Sequence, residues 1–284
     1  VKWRRAVNAF TLKVLMSLST KEGDASLGIK ERFKEIVEEG ILMDAGTGHL
    51  GFEYSSLNKH PLSASVMFVP KTIVSSIVVD NLKLLNDKRL FYYCDPSLDK
   101  ILDGYEANEP GAYNGVDVSM DYSQMNIDYG KNKFSLLNSR YQKEDACEPQ
   151  MFMTYAEQQL ILAEATVRGW INKETAKSYY ESGVKAALSV TKAMNGEYAH
   201  GNAIDQAYID GYFTGEAAFK STASDQLKQI WMQEYLLRFM QDGDYSYFEY
   251  RRNKYPEFPI NPASSMNVKK TDEIPMFCLP PGPK

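Results

Sequence analysis

Residues 46–51 read Gly46-Thr47-Gly48-His49-Leu50-Gly51, a literal G-x-G-x-x-G, the pattern in which a strand-to-helix turn brings backbone N–H groups up to a pyrophosphate. That chemistry needs an apolar helical stripe after the motif and an acidic residue about 20 positions further on in a second strand. The stretch from Phe52 to Pro61 is instead polar and ends on proline, with no such acid behind it, so the motif is read as a loop. His49, His60 and His200 are the only histidines. None has a carboxylate at the spacing of a metal ligand set or a triad, and each is expected in a loop or at the surface. The carboxylates leave more open, because a glycosidase needs only two acids about 5–10 Å apart, drawn from anywhere in the chain. Glu157 and Glu164 fall on one face of a helix, and ion pairing with Arg4, Arg5 or Arg168 is the favoured reading, since pairing is how carboxylates on a packed helix are tolerated. Asp117, Asp121 and Asp128 share a loop without the one-three-five spacing of an EF-hand, which argues against calcium. No catalytic residue, metal or cofactor is assigned.

The chain of 284 residues carries 19 Tyr and 13 Phe but only 3 Trp. Rings, amides and carboxylates crowd together between residues 92 and 129, where Tyr105, Tyr113, Asn114, Asp117 and Tyr122 surround a glycine-bearing turn from Gly111 to Gly115. Those are the materials of a sugar platform, with rings stacking on the weakly polar face of a sugar and polar groups meeting its hydroxyls. The competing reading has the same tyrosines packing this loop onto helices. A net charge of -5 provides no basic field for a nucleic-acid backbone. Cys94, Cys147 and Cys278 form no C-x-x-C pair, and one bridge plus a thiol, or three thiols, fit equally well.

The elements that must position these residues are helical. Trp3, Val7, Phe10, Val14 and Leu18 recur at steps of three or four and predict a helix over 1–19 with this stripe buried. A second helix is expected over 29–39 with Phe33, Ile36 and Val37 inward and Gly40 as its stop. Residues 71–86 have helical spacing, but their β-branched runs also suit a strand. From 89 to 150 periodicity fades into an irregular, tyrosine-rich excursion punctuated by glycine and proline. Helices resume at 151–169 and 173–194, as a hairpin whose second member turns Tyr180, Val184, Ala187 and Leu188 inward. A last helix over 224–241 precedes a turn at Asp242-Gly243-Asp244. The fold class is mainly α, a single domain over 1–284 of tetratricopeptide-like antiparallel hairpins, although no clean repeat near 34 residues is visible. No run reaches the roughly 18 apolar residues of a membrane span. The opening Val1-Lys2-Trp3-Arg4-Arg5 reads like the inside of a helix, and the chain is expected to be a fragment whose N-terminal part lies upstream.

Lys2 to Phe10, Tyr155 to Glu157 with Arg168 to Trp170, Ala176 to Gly183, Ile230 to Gln233 and Glu249 to Pro256 together resemble the SusD/RagB family of bacterial outer-membrane lipoproteins. Lys2-Trp3-Arg4-Arg5-Ala6-Val7-Asn8-Ala9-Phe10 is similar to that family's K-W-x-R-x-A-N-S-L helix. Tyr155-Ala156-Glu157 with Arg168-Gly169-Trp170 is similar to its tyrosine-alanine-glutamate helix ending in R-G-W. Ala176 to Gly183 and Ile230-Trp231-Met232-Gln233 resemble later helices, and Glu249-Tyr250-Arg251-Arg252-Asn253-Lys254-Tyr255-Pro256 approaches W-x-E-x-R-R-T-G-Y-P. The resemblance implies a tetratricopeptide-like scaffold with a ligand surface on irregular segments. It further implies a non-catalytic protein that binds glycans or other oligomeric nutrients and passes them to a SusC-like TonB-dependent outer-membrane transporter. Membrane attachment would run through a lipidated cysteine absent from this chain, and Ile274 to Pro281 only partly matches the family's tail. Arg251 and Arg252 are expected to be structural, bonding the last carbonyls of a helix. A helical-repeat adaptor for a protein segment, and a glycoside hydrolase, are the alternatives from other classes.

Overall fold

The structure is a computed structural model that describes residues 2–45, 48–64, 66 and 72–263. Helix α1 (Lys2–Ser17) buries Ala6, Ala9, Leu12, Lys13, Leu15 and Met16. The stripe expected to be buried faces outward instead, with Trp3 73%, Val7 56%, Phe10 48%, Val14 45% and Leu18 39% exposed. The physical reason is that α1 is apolar on two sides. Its alanine-bearing side allows closer packing, and that side also carries Lys13, whose ammonium reaches Glu157 at 3.0 Å. Helix α2 (Ile29–Glu39) returns along α1 with Ile29, Phe33 and Val37 buried, and ends at Gly40 in the left-handed region.

Strand β1 (His49–Phe52) pairs antiparallel with β2 (Gln150–Thr154), with a register shift between Leu50 and Gly51. A Cβ on Gly51 would lie 2.0 Å from the Gln150 carbonyl oxygen, so no side chain fits there. The glycine motif read as a loop is therefore half strand, and its last glycine serves backbone pairing. Gly46 and Thr47 lie outside the described residues. The pairing also takes 151–154 out of the helix expected to begin there.

Both readings of 71–86 hold in part. Ile73 and Ser75 make isolated bridges to Leu136 and Val116, and α3 (Ser76–Leu84) then starts where the Ser75 hydroxyl accepts the Ile77 N–H. The stretch read as irregular contains four short helices, α4 (Arg89–Tyr93), α5 (Leu98–Leu102), α6 (Tyr122–Gly130) and α7 (Arg140–Lys143), joined by loops. Every residue of α4 is buried. Arg89 donates to Asp87 at 2.6 Å and to Gln233 at 2.7 Å, and Arg140 donates to the Tyr92 carbonyl at 3.0 Å. The Arg89 bonds tie the excursion into the body of the protein, and the Arg140 bond joins its two ends.

Helix α8 (Tyr155–Val167) is the central element, buried without a break from Ala156 to Ala165. Its N-terminus is capped by the Thr154 hydroxyl, which accepts the Glu157 N–H. Helix α9 (Ala176–Lys192) packs against it with Tyr180, Val184, Ala187 and Leu188 buried as expected, and Gly183 sits directly on Ala156 and Leu160. The short α10 (Gln206–Gly211) leads to α11 (Ala223–Leu237), and α12 (Gly243–Asn253) begins within the turn expected at Asp242-Gly243-Asp244, capped by Asp242.

A layer of buried ion pairs joins four of these helices. Glu157 is held by Lys13 at 3.0 Å and by Arg238 at 2.9 Å. Glu164 is held by Arg168 at 2.7 Å and Arg252 at 2.5 Å. Of the three arginines expected beside these carboxylates only Arg168 is there. Arg4 and Arg5 pair with Glu39 and Asp44. Arg252 is structural, but it bonds the side chains of Glu164, Glu249 and Ser19 rather than helix-end carbonyls.

Candidate functional site

Five residues of the excursion carry the expected binding chemistry, and the structure divides them. Tyr105 is 43% exposed, Tyr122 is 75% exposed, and Asp117 also stands at the surface. Tyr113 does not: its ring is 1% exposed, edge-on to Phe91 at 5.2 Å, and its hydroxyl donates to the Ala107 carbonyl at 2.8 Å. Burial pushes the Tyr113 phenol well above its usual range. That ring cannot stack on a ligand, which corrects its expected role as a platform. Asn114 is also built into the frame, its amide donating to the Lys133 carbonyl at 2.7 Å and its N–H to the Ser135 hydroxyl at 3.0 Å.

What Tyr113 and its neighbours do is hold Tyr105. The loop between α5 and Tyr113 is fixed by the bond from Tyr113 to Ala107 and by Asn202, whose amide donates to the Asn108 carbonyl at 2.9 Å. The Tyr105 ring lies so close on Gly111 that a Cβ there would be 2.5 Å from a ring carbon. Lys100 lies over the same ring at 5.7 Å. The result is an exposed phenol ring with a backbone behind it, the arrangement that presents a flat face without first having to be ordered. Tyr122 opens α6 next to Asp121, whose carboxylate caps the helix through Ser123 and Gln124. Asp117 accepts from the N–H and hydroxyl of Ser119.

The other expectations divide in a similar way. His60 is buried against Tyr54, and burial lowers its pKa. His200 meets Asp95 at 3.1 Å, and His49 meets Glu53 at 3.0 Å. Asp128 pairs with Lys133 at 2.8 Å, away from Asp117 and Asp121 in role. Among the described residues no three His, Cys, Asp or Glu side chains cluster as a metal site would require. Cys94 and Cys147 are buried free thiols, and Cys278 lies outside the described residues, as does the tail from Ile274 to Pro281.

Sequence reasoning missed the cavities because their walls come from distant segments, two of them lying on the C-terminal helices. One, of about 420 Å³, is apolar and lined by Val74, Val78, Tyr235, Phe239, Tyr250 and Phe258. Another, of about 360 Å³, is mixed, lined by Glu216, Lys220, Asp225 and Lys228 together with Leu84, Leu85, Met232 and Tyr255. Only the crowding of tyrosine in 235–255 hinted at either. Neither cavity is lined by any of the five excursion residues.

Comparison with known proteins follows the same architecture. No curated protein gives a match. A SusD homologue of known structure from Bacteroides fragilis is 35% identical, with a TM-score of 0.88, covering 95% of this chain and 58% of its own. A second SusD homologue from that organism is 29% identical, with a TM-score of 0.79, covering 96% of this chain and 60% of its own. A chitin-binding SusD homologue from Flavobacterium johnsoniae shares the fold at 20% identity and a TM-score of 0.63, covering 92% of this chain and 52% of its own. The chain thus spans less than two thirds of the length of these relatives. The profile of the SusD-like family described as starch-binding and associating with the outer membrane matches residues 1–278, and the chain belongs to that family.

Proposed function

We propose that this protein binds glycans or related oligomeric nutrients at the bacterial cell surface, without chemical turnover, for delivery to a TonB-dependent outer-membrane transporter. The observation that carries the reading is the Tyr105 ring, 43% exposed and set against Gly111 with Lys100 over it, in a loop clamped by Tyr113 and Asn202. A rigid aromatic face suits a sugar ring, whose C–H groups stack while its hydroxyls seek polar partners at the rim. Tyr122 and Asp117 extend the same segment with a second exposed ring and a carboxylate. Membership of a family described as starch-binding, and a relative named for chitin binding, support the substrate class.

Binding rather than hydrolysis is favoured because no carboxylate with the raised pKa of a general acid lines either cavity. Glu157 and Glu164 are each gripped by two cations, which hold their pKa values below the usual range. Glu234 has the opposite shift, which a general acid would need, but it is buried with Arg238 3.9 Å away and lines neither cavity. No described helix is long and apolar enough to cross a membrane. The family description, associating with the outer membrane, supports attachment, which is proposed to run through a lipid on the whole protein. The test is isothermal titration of the whole protein with a panel of oligosaccharides that includes maltodextrins and chitooligosaccharides, together with peptides. Saturable binding of a glycan with no released product is expected. Turnover abolished by changing one carboxylate, or binding confined to peptides, would replace this reading.

A further inference from the structure

The loop that carries Tyr105 does not stand alone. A second loop, residues 195–202, closes against it: the Asn202 amide donates to the Asn108 carbonyl at 2.9 Å, and a Cβ on Gly201 would lie 3.8 Å from the Asn108 Cβ. Asn108 follows Tyr105 by three positions, so their Cα atoms are at most roughly 11 Å apart. The second loop is fixed from behind by the buried Asn138, whose amide donates to the Tyr198 carbonyl at 3.0 Å. At its turn His200 takes φ 48°, in the left-handed region that few residues with a side chain adopt. Its Nε2 lies 3.1 Å from Asp95, and its ring is edge-on to Tyr113 at 6.3 Å, so the buried ring that braces Ala107 also seats the histidine. Asp95 engages one ring nitrogen and leaves Nδ1 as the other hydrogen-bonding group of a side chain that is still 22% exposed. The bond that joins the loops uses the Asn108 carbonyl, and the exposed side-chain amide of Asn108 takes no part in it.

We infer that the glycan site continues from the Tyr105 ring across the contact between Asn108 and Asn202 onto the second loop, where the Asn108 amide and the His200 imidazole bond the hydroxyls of further sugar units. The inference rests on the glycan reading above and adds to it the length of the ligand. One exposed ring covers one sugar face, and polar partners set beyond it are reached only by a longer chain. An amide offers donors and an acceptor together, and an imidazole with one nitrogen engaged offers one site more, which is the mixture that hydroxyls require. Both groups are positioned before a ligand arrives, Asn108 through its carbonyl and His200 through Asp95, so binding costs little ordering. Bracing Tyr105 requires only Asn202 and the backbone of Asn108. Neither of the two side chains assigned to the ligand is needed for that task.

The experiment is calorimetric titration of the whole protein with maltooligosaccharides and with chitooligosaccharides, each as a series from two sugar units to six. Affinity is expected to rise with length along the series that binds. Asn108→Ala and His200→Asn remove the two contacts, asparagine being chosen because it tolerates the left-handed backbone. Together they are expected to lower the affinity of the six-unit ligand about tenfold, the scale of two lost hydrogen bonds, and to leave the two-unit ligand unchanged. An equal loss at every length would overturn the inference, because it would show the loop acting only as a support for Tyr105. An unchanged Kd for the six-unit ligand in the folded variant would overturn it too. Asn108→Ala alone, a change at an exposed side chain, reads the same length-dependent loss if the double variant does not fold. Tyr105→Ala separates the two claims: loss of binding at every length keeps the glycan reading even where the loop variants change nothing. No binding of either series by the unaltered protein removes that reading and the inference together.

Discussion

At the residue scale the tyrosines separate into rings that present a surface and rings that build it. Replacing Tyr105 with alanine should weaken glycan binding by about 1–3 kcal/mol, the scale of a ring stacked on an aromatic platform, with the unfolding midpoint unchanged. Gly111→Ala tests the seat of that ring: the added methyl would stand 2.5 Å from it, so affinity should fall while the tyrosine remains. Tyr113→Phe removes the bond to Ala107 and should cost about 0.5–1.5 kcal/mol in denaturant unfolding. Glu234 gives a pH signature. Its carboxyl is buried near Glu249 and Glu164, and Arg238 lies closer to Glu157, at 2.9 Å, than to Glu234, at 3.9 Å. Burial therefore pushes Glu234 up to about 8. A carboxyl that keeps its proton only in the folded state contributes stability that is fully present below the ordinary value of 4.5 and is lost as pH rises toward 8. Glu234→Gln should flatten that decline in thermal unfolding measured from pH 5 to 8.5. The composition of residues 92–129 pointed to the right residue types, but not to which ring is buried, because that depends on Phe91, Ala107 and Asn202, none of which has a local pattern marking it.

At the element scale periodicity located most helices and misread one face. The row Trp3, Val7, Phe10, Val14 and Leu18 has the larger residues, so it looked like the core side; the small side won because Ala6 and Ala9 admit close packing and Lys13 finds Glu157. Strands β1 and β2 were hidden because their pairing is non-local, and Gly51 becomes meaningful only once Gln150 lies beside it. Gly183 marks a close approach of α9 to α8, with a Cβ there 3.0 Å from Leu160. Gly183→Leu should cost about 1–3 kcal/mol by overpacking. Arg252→Met, which strands Glu249 in a buried site and leaves Glu164 to Arg168 alone, should cost about 3–5 kcal/mol, readable as a shifted denaturation midpoint with an unchanged slope.

At the scale of the whole molecule the family was legible because its motifs are scaffold motifs. Tyr155-Ala156-Glu157 places the carboxylate that meets α1 and Arg238, and Glu249 to Pro256 places Arg252 on Glu164. Such residues are fixed by packing and survive as a pattern, whereas a binding face on loops is free to vary with its ligand. The account therefore stands or falls on the loops. Its most direct test is calorimetric titration of the whole protein with a glycan that it binds, repeated on the variant carrying both Tyr105→Ala and Tyr122→Ala. The account predicts that the folded double variant loses affinity at least tenfold, about 1.4 kcal/mol or more. An unchanged Kd in that variant, with unfolding also unchanged, would contradict it and move the site away from residues 92–129.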